Sequence, residues 1–253
     1  MARKSKVVLP KGDGPKILVY DIESAGVNAF NADLGYVIAF GYKWLGEKET
    51  HCLSISDYPR FKKDPHNDHD LLRDASEVFQ HADALIAHYG DKFDRPFIHT
   101  RLTFHDLPNI PPIKQLDTCK VAWKVYKFSS NRLANLAKFF NCANRKTDKG
   151  DGWSKWWMEI LKGSDKYQKQ MVDYCKQDVR TLEEIALKMR NFWPPGFVNF
   201  SSHGEGIHCC TRCGSKDLTK DGHRYRSGKK TQRYCCKACG SWSWGNSVRL
   251  VGL

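Results

Sequence analysis

The stretch Lys16-Ile17-Leu18-Val19-Tyr20-Asp21-Ile22-Glu23-Ser24 constrains this chain more than any other. Ile17 to Tyr20 run unbroken as apolar or aromatic residues, the pattern of a strand buried on both faces. Asp21 and Glu23 follow, with Ile22 between them. Residues i and i+2 of a strand share a face, so both carboxylates project together from the end of a buried strand. Mutual repulsion and desolvation penalise such a pair. A divalent cation removes the conflict, and oxygen-only ligands suit Mg²⁺ or Mn²⁺.

The segments after it alternate. Leu34 to Leu45 and Thr50 to Ile55, joined by a turn at Gly46-Glu47-Lys48, predict an antiparallel meander beside the first strand. Tyr58 to Asp68 reads as loop, and Asp70 to His81 has helical spacing. Ala84 to His88 predicts a second short buried strand, Asp94 the start of a helix with Pro96 in its first turn, and Ile113 to Thr118 a further strand. Ser129 or Ser130 is the expected cap of a helix carrying Leu133, Leu136, Ala137 and Phe140. Asn141 to Asp151 reads as a polar, basic loop. Trp153, Trp156 and Trp157 have helical spacing and read as core or lid packing rather than a base-stacking platform. A long helical pattern from about Lys166 to Phe192 puts Met171, Tyr174, Cys175, Asp178, Leu182, Ile185 and Met189 on one stripe. Strands alternating with helices after a meander predict an α/β fold with a mixed sheet covered by helices on both faces. The expected domain plan is a loose basic arm over 1–15, a first domain over 16–193, a linker over 194–207 and a second module over 208–253.

Charge narrows the partner. Lys and Arg number 41 against 28 Asp and Glu, a net charge of +13, which favours a polyanion, nucleic acid before membrane. No apolar run is long enough to span a bilayer, and Val7-Val8-Leu9 after the basic Met1 to Lys6 is too short for a signal-peptide core. The expectation is a cytoplasmic protein. Six of the 10 cysteines crowd near the C-terminus, which in a reducing compartment argues for metal over disulfides. Cys210-Thr-Arg-Cys213-Gly214 and Cys236-Lys-Ala-Cys239-Gly240 describe two knuckles of a Cys₄ ribbon holding one structural Zn²⁺. Cys209 and Cys235 each precede a ligand, but Cys210 and Cys236 give the two-residue spacing; His208 is a spare candidate. Between the knuckles, Arg224, Tyr225, Arg226, Lys229, Lys230 and Arg233 mix cations with an aromatic ring, which suits phosphate contact and base stacking. A protein partner held by the ribbon is the alternative.

On the long helix Tyr174 and Asp178 are four residues apart and share a face, and an aspartate on an apolar stripe needs a partner. Asp21-Ile22-Glu23, then Phe93-Asp94 within Ala87 to Phe97, then Tyr174-Cys-Lys-Gln-Asp178 occur in the order of three exonuclease motifs. Through them residues 16 to 193 resemble the DEDDy, or DnaQ-like, 3′→5′ exonucleases of the ribonuclease H-like superfamily, with phage exonucleases and YprB-type domains nearest. Tyr89, preceded by His88, stands where that family often carries Asn. The resemblance implies a five-stranded mixed sheet flanked by helices and two Mg²⁺ or Mn²⁺ ions roughly 4 Å apart. It implies that Asp21 bridges both ions, that Glu23 and Asp178 complete the site of the ion binding the attacking water, and that Asp94 holds the second ion largely through water. Tyr174 would orient the water. The implied product is a 5′-mononucleotide from a 3′ end, of DNA before RNA. An exoribonuclease, a structure-specific endonuclease and a non-catalytic nucleic-acid-binding adaptor are the competing functions; four acids and Tyr174 together count against the last.

Overall fold

The computed structural model describes residues 6–144, 153–194, 196–200 and 209–250. Residues 1–5 of the expected arm, 145–151 of the expected basic loop, 201–207 of the expected linker and His208 lie outside them. The described residues divide near Lys188 into two compact units.

The first unit is built on a five-stranded sheet of order β3-β2-β1-β4-β5. β1 (Ile17–Gly26), β2 (Gly35–Trp44) and β3 (His51–Ser54) form the antiparallel meander, and β4 (Ala84–Ala87) and β5 (Lys114–Asp117) continue it in parallel. The sheet is therefore mixed and its central strand is β1, flanked on both sides. That position explains why Leu18, Val19 and Tyr20 are wholly buried.

The two faces of β1 carry different chemistry. Tyr20 packs edge-on against Phe79 of α1 (His69–Gln80), with Phe40 of β2 beside it. Asp21 points to the other face, opposite Gly41 of β2. There α6 (Asp165–Lys188) lies against the sheet. A Cβ on Gly41 would meet Cys175 Sγ at 2.7 Å and Val179 Cγ2 at 3.0 Å. The glycine thus sets how closely α6 approaches the strand that carries the acids. The apolar stripe expected on α6 is buried in full, from Met171 to Met189. Helices cover both faces, as the pattern of the chain predicts.

Four local features differ from the sequence expectation. A short helix, α3 (Thr118–Val125), follows β5 directly, because Asp117 caps it by accepting from the Cys119 and Lys120 amides at 2.9 and 3.3 Å. α4 (Leu133–Phe139) has Arg132 at its cap position with no side-chain cap bond; Ser130 Oγ instead accepts from the Arg132 amide and closes the preceding turn. α6 ends at Lys188, with only a 3₁₀ turn over Arg190–Phe192, because Trp193 precedes Pro194 and takes an extended ψ of 141°. The arm is not loose at Val8. Its amide donates to the Tyr42 hydroxyl at 2.9 Å and its carbonyl accepts from the Trp44 indole at 3.0 Å, two buried rings whose polar ends need partners. The remaining helices are α2 (Asp94–Phe104) and α5 (Trp153–Leu161). Trp156 and Trp157 are buried, as read for core packing, and Trp157 donates to the Tyr36 hydroxyl.

The second unit carries a three-stranded antiparallel sheet, β6 (Leu218–Arg226), β7 (Lys229–Cys236) and β8 (Trp242–Arg249). The segment between the two knuckles forms the β6-β7 hairpin; the third strand has no counterpart in the sequence reading. Its Trp-x-Trp alternation is a strand pattern that only pairing with β7 completes.

Candidate active site

Asp21 and Glu23 leave the same face of β1 at its C-terminal half, where a register shift falls between Glu23 and Ser24. A bulge there re-aims the strand next to the acids. From α6, Asp178 arrives on the same face, admitted by Gly41. One carboxylate oxygen from each of Asp21, Glu23 and Asp178 lies within 4.8 Å of the others. Three like charges at that separation repel, so the cluster is a candidate cation site from its donor chemistry alone.

Asp94 is outside that mutual 4.8 Å group and is placed by a different device. β1 pairs with β4 from Ile17–Ala84 only as far as Val19–Ile86, so β1 outruns its neighbour. The Ile22 amide beyond that point needs an acceptor, and Asp94 Oδ1 takes it at 3.2 Å. Asp94 begins α2, where the helix dipole favours an acid. It is 3% exposed, and burial lifts its carboxyl to about 7.

Tyr174, one turn before Asp178 on α6, is buried at 2% exposure. Burial first, then the charges of Asp178, Glu23 and Asp21, hold its phenol far above the ordinary value. It therefore keeps its proton at any working pH. Its ring meets Trp156 edge-on at 6.0 Å, which fixes its direction.

The loop before Asp94 is held by a residue that the sequence reading passed over. Asp117 accepts from the amides of Tyr89 and Asp91, at 3.0 and 3.2 Å, as well as from the two amides of α3. Tyr89 has φ +62°, a left-handed conformation that Asn adopts readily and a bulky residue seldom does. Gly90 beside it has no room for a side chain, since a Cβ would lie 2.3 Å from that of Ala87. The only local signal at Asp117 is that of a helix cap before Thr118-Cys119, which says nothing of the distant loop it also holds.

A cleft of about 860 Å³ opens beside the acids. Asp21 and Asp178 lie in its wall, with Phe30, Tyr89, Trp123 and Arg132 around them. Tyr89 and Trp123 meet edge-on at 6.1 Å, and both rings are about half exposed. Phe30, Trp123 and Arg132 could not be picked out from sequence, because Trp123 sits on the unforeseen α3 and the others on connections.

In the second unit the Sγ atoms of Cys210, Cys213, Cys236 and Cys239 all lie within 4.8 Å of one another. Cys209 and Cys235 are not in that group. The two knuckles have the same backbone: Gly214 and Gly240 amides each donate to the carbonyl four residues earlier at 2.8 Å, with φ of +74° and +70°. The Arg212 amide points at Cys210 Sγ at 3.4 Å. Despite burial, hydrogen bonding with Ser241 and the neighbouring thiols draws the Cys239 thiol down to about 7. Among the described residues these are two separate groups that fit a cation, one of oxygen and one of sulfur. Of the residues expected to contact nucleic acid, Arg224, Tyr225 and Arg226 lie on β6 and Lys229, Lys230 and Arg233 on β7.

A mixed α/β sheet brings acids from its central strand and its last long helix to one point, a fold with a candidate cation site. The family model of the RNase H superfamily matches residues 18–190, and the chain belongs to that superfamily. A family B DNA polymerase from the hyperthermophilic archaeon Pyrobaculum calidifontis shares the fold with a TM-score of 0.56 at 12% identity, over 88% of this chain and 32% of that one. This chain thus spans about a third of the polymerase. No curated protein matches the chain.

Proposed function

We propose that the chain is a metal-dependent 3′→5′ exonuclease of the DEDDy type, hydrolysing phosphodiester bonds of DNA at single-stranded or 3′ ends to 5′-mononucleotides. The observation that carries this reading is the meeting of Asp21, Glu23 and Asp178 within 4.8 Å on a superfamily fold. Asp21, Glu23, Asp94 and Asp178 would hold two Mg²⁺ or Mn²⁺ ions, the harder cations that carboxylates prefer. Bound there, the ions lower the pKa of water and offset charge on the phosphate under attack. Tyr174 keeps its proton and orients the water; it does not deprotonate it. Phe30, Tyr89 and Trp123 offer rings to the terminal bases, and Arg132 a cation to the strand.

In the second unit, Cys210, Cys213, Cys236 and Cys239 would hold one structural Zn²⁺. The Cys210–Cys239 and Cys213–Cys236 separations of 3.6 and 3.7 Å match the edge of about 3.8 Å of a tetrahedron with Zn–S bonds of about 2.3 Å. The basic hairpin of this ribbon adds phosphate contacts. Preference for DNA follows the likeness of the motifs to phage exonucleases. Activity inside a cell, in the cytoplasm, is the reading that fits six cysteines crowded into metal-type knuckles near the C-terminus.

The test is digestion of matched 3′- and 5′-labelled DNA and RNA strands with Mg²⁺ and with EDTA. Stepwise loss of label from the 3′ end of DNA, abolished by EDTA, is expected. Faster loss from RNA would make it an exoribonuclease, and internal cuts an endonuclease. Binding without cleavage would make it an adaptor and overturn the proposal.

A further inference from the structure

The outer face of the β6-β7-β8 sheet exposes an unusual set of side chains. Trp242 and Trp244 are two apart on β8 and so share a face, and they remain 50% and 46% exposed. Arg233 of β7 lies directly across from Trp244. Its guanidinium sits over the Trp242 ring at 4.5 Å, and that of Arg224 from β6 over the Trp244 ring at 4.4 Å. Two guanidiniums, one from β6 and one from β7, thus each cover one of the two indoles of β8. Arg233 is fixed in that pose, since Nε donates to the Asp221 carbonyl at 2.8 Å and the Asp221 carboxylate pairs with it at 3.5 Å. The opposite face is the packed one, where Ser243 is buried and the Tyr234 ring lies under Gly245. Two indoles left half in water are costly unless something covers them.

The charge around them says what that cover is. Residues 209–250 hold ten Lys and Arg against two Asp and Glu, so the face attracts a polyanion and repels basic surfaces. An apolar protein groove would meet a guanidinium on each ring. A flat base meets what it stacks on, since both indole and guanidinium planes accept stacked bases. We propose that this Arg–Trp ladder is a stacking site for the unpaired bases of single-stranded nucleic acid. The proposal rests on the reading of the ribbon as a nucleic-acid arm and adds its chemistry. The strand lies across β8 and β7 with bases on the Trp242 and Trp244 rings. Arg233 stays over Trp242, Arg224 stacks or turns to a phosphate, and Lys229 and Lys230 track the backbone. Duplex bases are already stacked on one another and cannot enter.

The experiment uses the full chain, without added Mg²⁺ or Mn²⁺ and without chelator, so that hydrolysis is not read and the cysteine site stays loaded. Fluorescence anisotropy follows a labelled oligothymidylate and, separately, a duplex, at several salt concentrations. Trp242→Ala with Trp244→Ala should weaken single-strand binding about tenfold or more and leave the salt slope unchanged. Lys229→Ala with Lys230→Ala should flatten the slope. The Trp→Phe pair should hold most of the affinity, and equal metal content in all variants shows that the ribbon is folded. Unchanged binding in the double Ala variant, or wild-type duplex binding as tight as single-strand binding, overturns the ladder; in that case a protein is the occupant of the face. Turnover of a short substrate with Mg²⁺, assayed apart, reports on the nuclease reading alone, so either reading fails without the other.

Discussion

Asp178→Asn separates a cation site from a set of acids that happen to be close. In wild type three carboxylates sit within 4.8 Å of one another. At an effective dielectric of about 20, each pair at that distance costs about 3 kcal/mol. Asp178 takes part in two such pairs. Partial exposure of Asp21 and Glu23 screens both, leaving a net cost of about 2 kcal/mol. Asparagine keeps the shape and removes the charge. Without divalent ions the variant should therefore melt higher than wild type, by about 4–8 °C for a chain of this size. With Mn²⁺ at about a hundred times its dissociation constant, wild type gains about 2.7 kcal/mol and the variant little of it. The two melting curves should cross as metal is added. Scanning calorimetry on desalted protein reads this directly; chelator is avoided because it would strip the cysteine site. A variant that melts at or below wild type without metal, or that gains as much from Mn²⁺, would refute the reasoning, whatever its effect on turnover.

Gly41→Ala touches no ligand, yet it should push α6 back from β1 and cost about a hundredfold in hydrolysis, with a smaller Mn²⁺ melting shift; normal turnover would show that α6 is not seated by this contact. Tyr174→Phe should lose about tenfold to a hundredfold, less than the near-complete loss of Asp21→Ala in the same assay, because the phenol orients and does not ionise. Arg101→Met leaves Asp68, buried and bonded to Arg101, His105 and the Val37 amide, without its main cation, and should cost about 3–5 kcal/mol by denaturant unfolding. In wild type, burial opposes Asp68 ionisation, but His105 and Arg101 outweigh it and hold the carboxyl below its usual range. Its contribution is thus present above about pH 4 and lost as pH falls through the lowered value. Elemental analysis should find one zinc per chain, and Cys213→Ser should lose it along with the ribbon's folded signal.

How far the site could be read from residues follows from how locally each part is encoded. Asp21 and Glu23 declare themselves by alternation on a buried strand, and Asp178 by breaking an apolar stripe. Each signal lies within a few residues of itself. The fold of the first unit was legible for the same reason, since β1, β4 and α6 have strong periods of their own. Asp117 was not, because its role is to take amides from a loop nearly thirty residues earlier. Trp123 was hidden by a helix too short to show a period. β8 looked like nothing until β7 gave it a partner. The docking of Val8 depends on two rings in β2 that only the folded sheet aims at it.

Asp21 and Asp178 lie at opposite ends of their unit, on the first strand and the last long helix. During synthesis the chain displays Asp21, Glu23 and Asp94 long before α6 leaves the ribosome. A nascent or truncated chain therefore lacks the acid that completes the cluster. On the proposed reading, the capacity to hold a cation would appear only with α6, the last long helix of the first unit.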